Sequence, residues 1–471
     1  MGYLILRSSV SGGSGSTSYT TTHYVAPYAS VSGATDDDSD LGATSWSNAT
    51  SELTPTTLGT AMARATAGNA VRCAPGVYVG TLVDSRWSAP FKPTNSGSSG
   101  NPIVFFAQYP GAYNEGSTSL YSELRADTTA IRAAVAGITG GQDYIIFDGF
   151  VFDQTYSYPR PSNGNFCIGN TTGANNCEIR RFLCLNQAQP SGDNYSNFFV
   201  EAATNFRLVD TRGRGGSASG EGDLITMYGC VNFMLEHNEC IDMRIGMYAK
   251  GSNGSTYNSG TMRYNYGEGI TDKFLLASVI EPTLGIDVYQ NLAVNCTQAW
   301  RADPAGEGPN HCRLYNNTFV DSVATGGAHE ALIWFEGTVP PSGHEFYNNI
   351  VANTSASTTV NLGCIQMTTA ITTAFDTIDY NNYYNAGGSL YFSDNQDNDT
   401  SGSWMNFASW RSFVSDEANS ITSDPSFVNA AAGNYKLAGG SPALTAGSTG
   451  GPVGCYITGS EEMGCRASPT Y

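Results

Sequence analysis

The chain has 471 residues, 54 of them Gly and 27 Tyr, with only 13% charged residues; four Lys and 18 Arg stand against 41 acidic side chains for a formal charge of -19. That balance excludes nucleic acid as a partner and repels an anionic polymer wherever no Arg or other cation intervenes. No apolar run is long enough to span a membrane, and abundant Gly, Ser, Thr and Asn favour turns over long helices.

The chain opens with MGYLILRSSVSGGSGSTSYTTTHYVAP. The apolar stretch Tyr3 to Leu6 is far too short for a signal sequence, so the product is expected to begin at Met1 and stay outside the usual secretion route. Gly2 to Arg7 reads as a strand-forming arm, followed by a flexible Ser/Gly linker, and residues 1–22 are expected to dock on another subunit or a larger assembly. Asp36, Asp37, Asp38 and Asp40 suggest calcium, yet an EF-hand needs Gly and Glu where Leu41 and Ser47 stand. A looser calcium site stays open, and no other cofactor is expected. Thr54-Pro55 provides an N-cap and N1 pair, and Leu58, Ala61, Met62 and Ala65 form one apolar helical face before Gly68. Such a helix would blunt the open strand edge of the first coil.

Strands at Ala70 to Tyr78 and Asn101 to Gly111 are followed by a recurring phrase, an apolar strand that breaks at a polar residue and restarts at once. It reads YIIFDGFVFD from Tyr144, CEIRRFLCLN from Cys177, FRLVDTR from Phe206, FMLEHNECID from Phe233, MRYNYG from Met262, VYQNLAVN from Val288, RLYNNTFVD from Arg313, EFYNNIVAN from Glu345 and DYNNYYN from Asp379. Taking Asp148, Arg181, Asp210, Asn238, Asn265, Asn291, Asn317, Asn349 and Asn382 as the bends gives steps of 33, 29, 28, 27, 26, 26, 32 and 33 residues. A period of that size means a stacked array. The copies are too short and too rich in β-branched and aromatic residues for helices, and the bends favour residues that tolerate left-handed angles. Stacked bend Asn side chains would pair up and down the array. The expected fold is all-β: a right-handed parallel β-helix of about eleven or twelve coils, on the order of 55 Å long at ~4.8 Å per strand. The expected divisions are an arm at 1–22, a cap with a short helix at 23–69, the β-helix at 70–420 and a closing segment at 421–471. Asp424 to Leu437 is expected to supply a hairpin there.

Eleven Cys form no CxxC pair and accompany no His cluster, which argues against zinc. Cys177, Cys184, Cys240, Cys296 and Cys312 sit in strand phrases, where Cys acts as a small buried hydrophobe. A disulfide between Cys455 and Cys465 stays open. His23, His237, His311, His329 and His344 are dispersed, with His237 and His311 in structural positions near the corners.

The phrases APGVY, GNPIVFFAQYPG, YIIFDGFVF, LYNNTFV, SDPSFVN and SPALTAG resemble those of the pectate-lyase-like right-handed β-helix superfamily, over about Tyr24 to Cys465. The resemblance implies the fold. It leaves function open, because the superfamily includes polysaccharide lyases and hydrolases, sugar epimerases and the trimeric tailspikes of bacterial viruses.

Aligning the strands at Asp223 to Gly229, Ile245 to Gly251, Ala299 to Ala305 and Ala331 to Gly337 turns Thr226, Tyr228, Tyr248, Lys250, Arg301, Asp303, Trp334 and Glu336 outward together. On such a stripe Tyr228, Tyr248, Asp303, Trp334 and Glu336 would bind carbohydrate. Lys250 would be the base and Arg301 the charge neutraliser of a lyase. KGSN at Lys250 to Asn253 is similar to the Lys-Ser-x-x-Asn neighbourhood of alginate and chondroitin lyases, but the Arg-His-Gly partner motif is missing from Phe274 to Asn291. Hydrolysis would need a carboxylate pair such as Asp303 with Glu336, or Glu221 with Asp223. The polygalacturonase motifs are not present.

Three readings of function compete, of which one is a hybrid: a virion spike that also binds or cleaves host glycans in the Lys250 and Arg301 groove. The first, preferred on the sequence alone, is a virion surface protein of a bacterial virus: a decoration, fibre or tailspike anchored to capsid or tail proteins through residues 1–22. It would be a homotrimer located on the virion surface, with polysaccharide as a further partner. The alternative is an extracellular β-helical polysaccharide lyase, or a glycoside hydrolase, acting on an acidic polysaccharide.

Overall fold

The computed structural model describes residues 20–26, 57–81, 87, 89–107, 121–126, 134–153, 165–169, 173–187, 196–215, 222–250, 258–278, 285–303, 311–321, 331–335, 343–355, 361–367, 375–393 and 404–466. They fall into two compact units, Met1–Ile225 with Cys465–Tyr471, and Thr226–Gly464. Each unit is a parallel β-solenoid built from three sheets.

In the first unit, one sheet stacks Thr21–Val25, Asn69–Cys73, Ile103–Ala107, Ile145–Asp148, Glu178–Arg180 and Arg207–Val209, all parallel. Pairing therefore already begins at Thr21. The second sheet contains Gly76–Gly80, Ser122–Ala126, Phe150–Asp153, Leu183–Gln187 and Arg212–Gly215. The third contains Ala136–Ile138, Phe166–Gly169 and Ser196–Glu201. The core between them is aromatic: Phe147, Phe150, Phe166, Phe182 and Phe198 are fully buried, and Phe166 meets Phe147 edge to face at 4.8 Å. Aromatic pairs in this geometry add to the energy of area burial. The expected helix is present at Leu58–Arg64, with Leu58, Ala61 and Met62 buried. Its N-cap is Thr57, whose hydroxyl accepts from the Thr60 N–H at 3.2 Å; Thr54 and Pro55 lie outside the described residues.

In the second unit the first sheet stacks Phe233–Glu236, Gly260–Arg263, Ile286–Tyr289, Cys312–Tyr315, His344–Tyr347 and Phe375–Asp379. The second stacks Glu239–Ile241, Tyr266–Glu268, Leu292–Val294, Thr318–Val320, Ile350–Asn353 and Asn382–Asn385. The third stacks Ile245–Lys250, Lys273–Ser278, Gln298–Asp303, Ile333–Phe335, Leu362–Met367 and Leu390–Ser393. Six strands in its first sheet make each unit a solenoid of about six turns, not the eleven or twelve coils expected of one rod. Periodicity counts repeats; it does not show where one compact unit ends.

The corners correct the expected bend chemistry. Left-handed backbone falls on His237, Tyr264, Gln290, Asn316, Asn348 and Tyr380, with φ between 52 and 59°, so the residue before each ladder Asn makes the bend. The next residue is the ladder itself: Asn238, Asn265, Asn291, Asn317, Asn349 and Asn381, all fully buried. The amide nitrogens of the first five donate to the Oδ1 of the following copy, at 2.9 to 3.2 Å. The last rung is thus Asn381 and not Asn382. In the first unit the corresponding slots after Gly149, Arg181 and Asp210 hold Phe150, Phe182 and Thr211, and the two rings pack at 5.8 Å.

The far end of the second unit is closed by a helix absent from the expectation, Phe407–Val414, capped by Asn406 and burying Trp410 against Phe392. Beyond it the expected hairpin forms between Phe427–Asn429 and Asn434–Leu437. The segment then lies along the outer face of the second sheet, where Tyr435, Ala443, Val453 and Cys455 pack on Leu292, Val294, Val320, Ile350 and Ala352. None of the eleven cysteines is in a disulfide, Cys455 and Cys465 included. Burial pushes the thiols of Cys177, Cys296 and Cys455 up to about 12, so they act as apolar filler.

Candidate functional site

Two of the three outer faces of the second unit are already used. The C-terminal segment covers the second sheet. On the first sheet the arginines are neutralised: Arg263 bonds Glu236 at 2.7 Å, and Arg313 bonds Asp287 through both Nε and Nη2. Tyr289, Tyr315 and Tyr347 stack face to face there at 4.9 and 5.3 Å, which covers both faces of Tyr315 and one each of Tyr289 and Tyr347.

The third sheet differs. Its strands share a register in which Tyr248, Leu276, Arg301, Trp334, Gln366 and Ser393 form one row. Parallel strands in register place a row on one face, while the alternate positions Trp300, Ala302, Ile333 and Phe335 are buried. The Arg301 guanidinium lies 4.4 Å from the centroid of the Trp334 ring. Two residues beyond Tyr248 along its strand, the Lys250 ammonium lies 5.5 Å from the Tyr248 ring and 5.6 Å from the Tyr228 ring. Both are cation–π distances. Lys250 forms no ion pair or hydrogen bond with any described residue, whereas Lys273 at the start of the next strand pairs with Asp272.

The expected residues fare unequally. Tyr228, Lys250, Arg301 and Trp334 are half-buried on this sheet. Tyr248 is only 5% exposed and packs with Ile245 and Leu276, so it supports Lys250 and has no open ring face. Thr226 is fully buried, and so is Asp223 in the first unit, which removes both from the outward stripe. Asp303 closes its strand opposite Ser278, with its side chain outside the described residues. Glu221, Glu336 and Gly251 to Asn253 also lie outside them. The strand Lys273–Ser278 was missing from the sequence alignment and separates Lys250 from Arg301 by two strand steps.

The row also holds residues that sequence reasoning missed. Gln366 is 6% exposed and Ser393 fully buried, and neither Gln366 Oε1 nor Ser393 Oγ has a hydrogen-bond partner among the described residues. The alternating LGCIQM after EFYNNIVAN was the available signal.

Two of the described histidines are structural: His237 stacks on Tyr264 at 4.9 Å, and His344 Nδ1 accepts from the Cys312 N–H. His329 and the acidic run Asp36 to Asp40 lie outside the described residues, as do residues 1–19 on which the anchoring expectation rests. Among the described residues no group of three His, Cys, Asp or Glu could hold a metal. No described helix is long and apolar enough to cross a membrane.

No protein-family model matches the chain, and comparison with curated proteins finds no relative. Among solved structures it is similar to pectate lyase Pel9A, at 12% identity over 96% of this chain and 98% of that one, with a TM-score of 0.46. It is also similar to a PL6 family polysaccharide lyase from Pseudopedobacter saltans, at 12% identity over 87% and 97% with a TM-score of 0.45. A third likeness is the A-module of the Azotobacter vinelandii mannuronan C-5 epimerase AlgE4, at 9% identity over 68% and 86% with a TM-score of 0.35. It is the strand pairing, and not these distant likenesses, that makes the chain a parallel β-helix.

Proposed function

We propose that this chain binds an acidic polysaccharide on the third sheet of its second unit and cleaves it by elimination. One observation carries the reading: in a protein of charge -19, Lys250 lies over Tyr228 and Tyr248 with no acidic partner among the described residues, on the sheet where Arg301 stacks on Trp334. Cations on a surface otherwise neutralised or acidic attract carboxylates, and the half-buried Tyr228 and Trp334 rings suit the apolar faces of sugar rings. Elimination beside a uronate requires a base at the departing proton and a cation at the carboxylate. Lys250 offers the first and Arg301 the second. Hydrolysis has less support, because no carboxylate pair stands on this sheet among the described residues.

The test is incubation with polygalacturonate, alginate and chondroitin while following the ultraviolet absorbance of unsaturated uronate. Absorbance is expected to rise on at least one polymer and to fall by 100-fold or more in Lys250→Ala, with the fold intact by circular dichroism. Turnover that survives in both Lys250→Ala and Arg301→Ala sinks the reading.

A further inference from the structure

The row through the candidate site does not end at Ser393. The strand Trp404–Met405 pairs antiparallel with Leu390–Ser393 and sets Trp404 opposite Ser393 and Met405 opposite Phe392. Residues directly opposite on paired strands share a face. Phe392 is fully buried and stacks on Trp410 of the closing helix, which marks its side of the strand as the inner one. Trp404 therefore belongs to the outer face, on the row of Arg301 and Trp334. Tyr391, two residues before Ser393, lies on that outer face as well.

Tyr391 and Trp404 are both half-buried, and their rings meet edge to face at 6.2 Å. Tyr391 stands opposite Gly363, which puts no side chain beside the ring. Between the two tryptophans of the row, Gln366 is 6% exposed and Ser393 fully buried, so Trp404 is the next member after Trp334 that a ligand can touch. The described residues 361–367, 390–393 and 404–406 include no Asp, Glu, Lys or Arg, and a contact made here is one of ring surface and not of charge. Aromatic rings grouped on an outer face mark binding surfaces, where scattered single side chains do not. At ~4.8 Å per strand step, the four steps from Arg301 place Trp404 roughly 19 Å away along the stack. A disaccharide held at Lys250 and Arg301 ends well short of it. A longer oligosaccharide running across the strands reaches it.

Building on the functional reading above, we infer that Tyr391 and Trp404 form a distal subsite, which stacks on a sugar ring of the same polymer several residues away from the bond that is cleaved. The polymer then lies along the row across successive strands, held at one end by cations and at the other by aromatic rings. The protein selects for chain length as a result: it acts on long chains and poorly on short ones. Binding energy from a remote part of a substrate can be used at the reacting centre, so truncated substrates lose kcat as well as affinity.

The test measures kcat/KM, by unsaturated-uronate absorbance, on size-fractionated oligomers of polygalacturonate, alginate and chondroitin from tetrasaccharide to decasaccharide. Wild-type protein is expected to favour decasaccharide over tetrasaccharide of its preferred polymer by about 10-fold or more. Trp404→Ala and Tyr391→Ala, each checked for unchanged thermal melting, should remove most of that advantage, and Trp404→Phe should keep more of it than Trp404→Ala. Should Trp404→Ala fail to fold, Tyr391→Ala decides. If tetrasaccharide and decasaccharide are cleaved alike, or the advantage survives in these variants, while Lys250→Ala abolishes turnover, the functional reading stands and the distal subsite falls. If no polymer or oligomer is cleaved, or turnover survives in both Lys250→Ala and Arg301→Ala, both fall together.

Discussion

Replacing Asn291 with Ala tests the buried amide ladder directly. Asn291 Nδ2 donates to Asn317 Oδ1 at 3.0 Å, the Met262 carbonyl at 2.9 Å and the Tyr289 carbonyl at 3.1 Å. Its Oδ1 accepts from the Asn265 backbone N–H at 3.1 Å and from Asn265 Nδ2 at 2.9 Å. Alanine removes all five contacts at a fully buried position and leaves at least the Asn265 N–H and the Met262 carbonyl without these partners. At about 1 to 3 kcal/mol for each orphaned buried group, the expected loss is roughly 2 to 6 kcal/mol. Asn291→Asp should cost at least as much, because it keeps the acceptor but turns a second oxygen toward Asn317 Oδ1 and the Met262 carbonyl. The control is Asn434→Ala, at an exposed position where the Asn side chain accepts one 3.3 Å bond. Stacked repeats can open locally, so urea denaturation should be paired with native-state hydrogen exchange at the Asn265 amide. The reasoning is refuted if Asn291→Ala shifts the midpoint no more than Asn434→Ala does while that amide stays protected.

Two further predictions concern stability. Glu417 is fully buried beneath the closing helix, where Tyr383, Ser420, Asn381 and Trp410 donate to it; burial nonetheless holds its pKa up at about 7, against an ordinary 4.5. A carboxyl whose pKa is raised on folding stabilises the fold fully below about pH 4.5 and loses that contribution as pH rises through 7, an effect of about 3 kcal/mol. Glu417→Gln is therefore expected to be less sensitive than wild type to a rise from pH 4.5 to 8, and parallel stability curves for the two proteins would rule this out. At Gly267 an added Cβ would lie 2.4 Å from the buried Phe274 ring, although the backbone there suits any residue. Gly267→Ala should cost about 1 to 3 kcal/mol through overpacking. The double variant Gly267→Ala/Phe274→Leu should cost less than the sum of the two single changes in denaturant titrations, and strict additivity would contradict the clash.

Much of the fold was legible because a solenoid repeats its local chemistry. Every corner phrase from Phe233 to Asn385 advertises one bend and two strands, and the helix face Leu58, Ala61 and Met62 is visible as spacing alone. The corner register was harder to read. Paired residues such as Asn316-Asn317 and Asn381-Asn382 look alike, and only the stacking of one copy on the next shows which amide points inward. The site was legible in part: alternation picked out Lys250, Arg301 and Trp334, but the same alternation counted Tyr248 and Thr226 as outward when both are buried. Gln366 and Ser393 escaped notice because an isolated Gln or Ser in a strand carries no signal until register places it beside Trp334 and Arg301.

By itself the sequence determined that this chain is a parallel β-helix, because periodic bends and β-branched strands of one short length leave no other way to bury their apolar faces. Tertiary structure decided which face remained for binding. The C-terminal segment closes the second sheet, ion pairs and stacked tyrosines occupy the first, and on the third Lys250 has aromatic neighbours and no ion pair among the described residues. Those outcomes depend on contacts between residues tens to more than a hundred positions apart, such as Cys455 on Thr318, and local pattern does not record them.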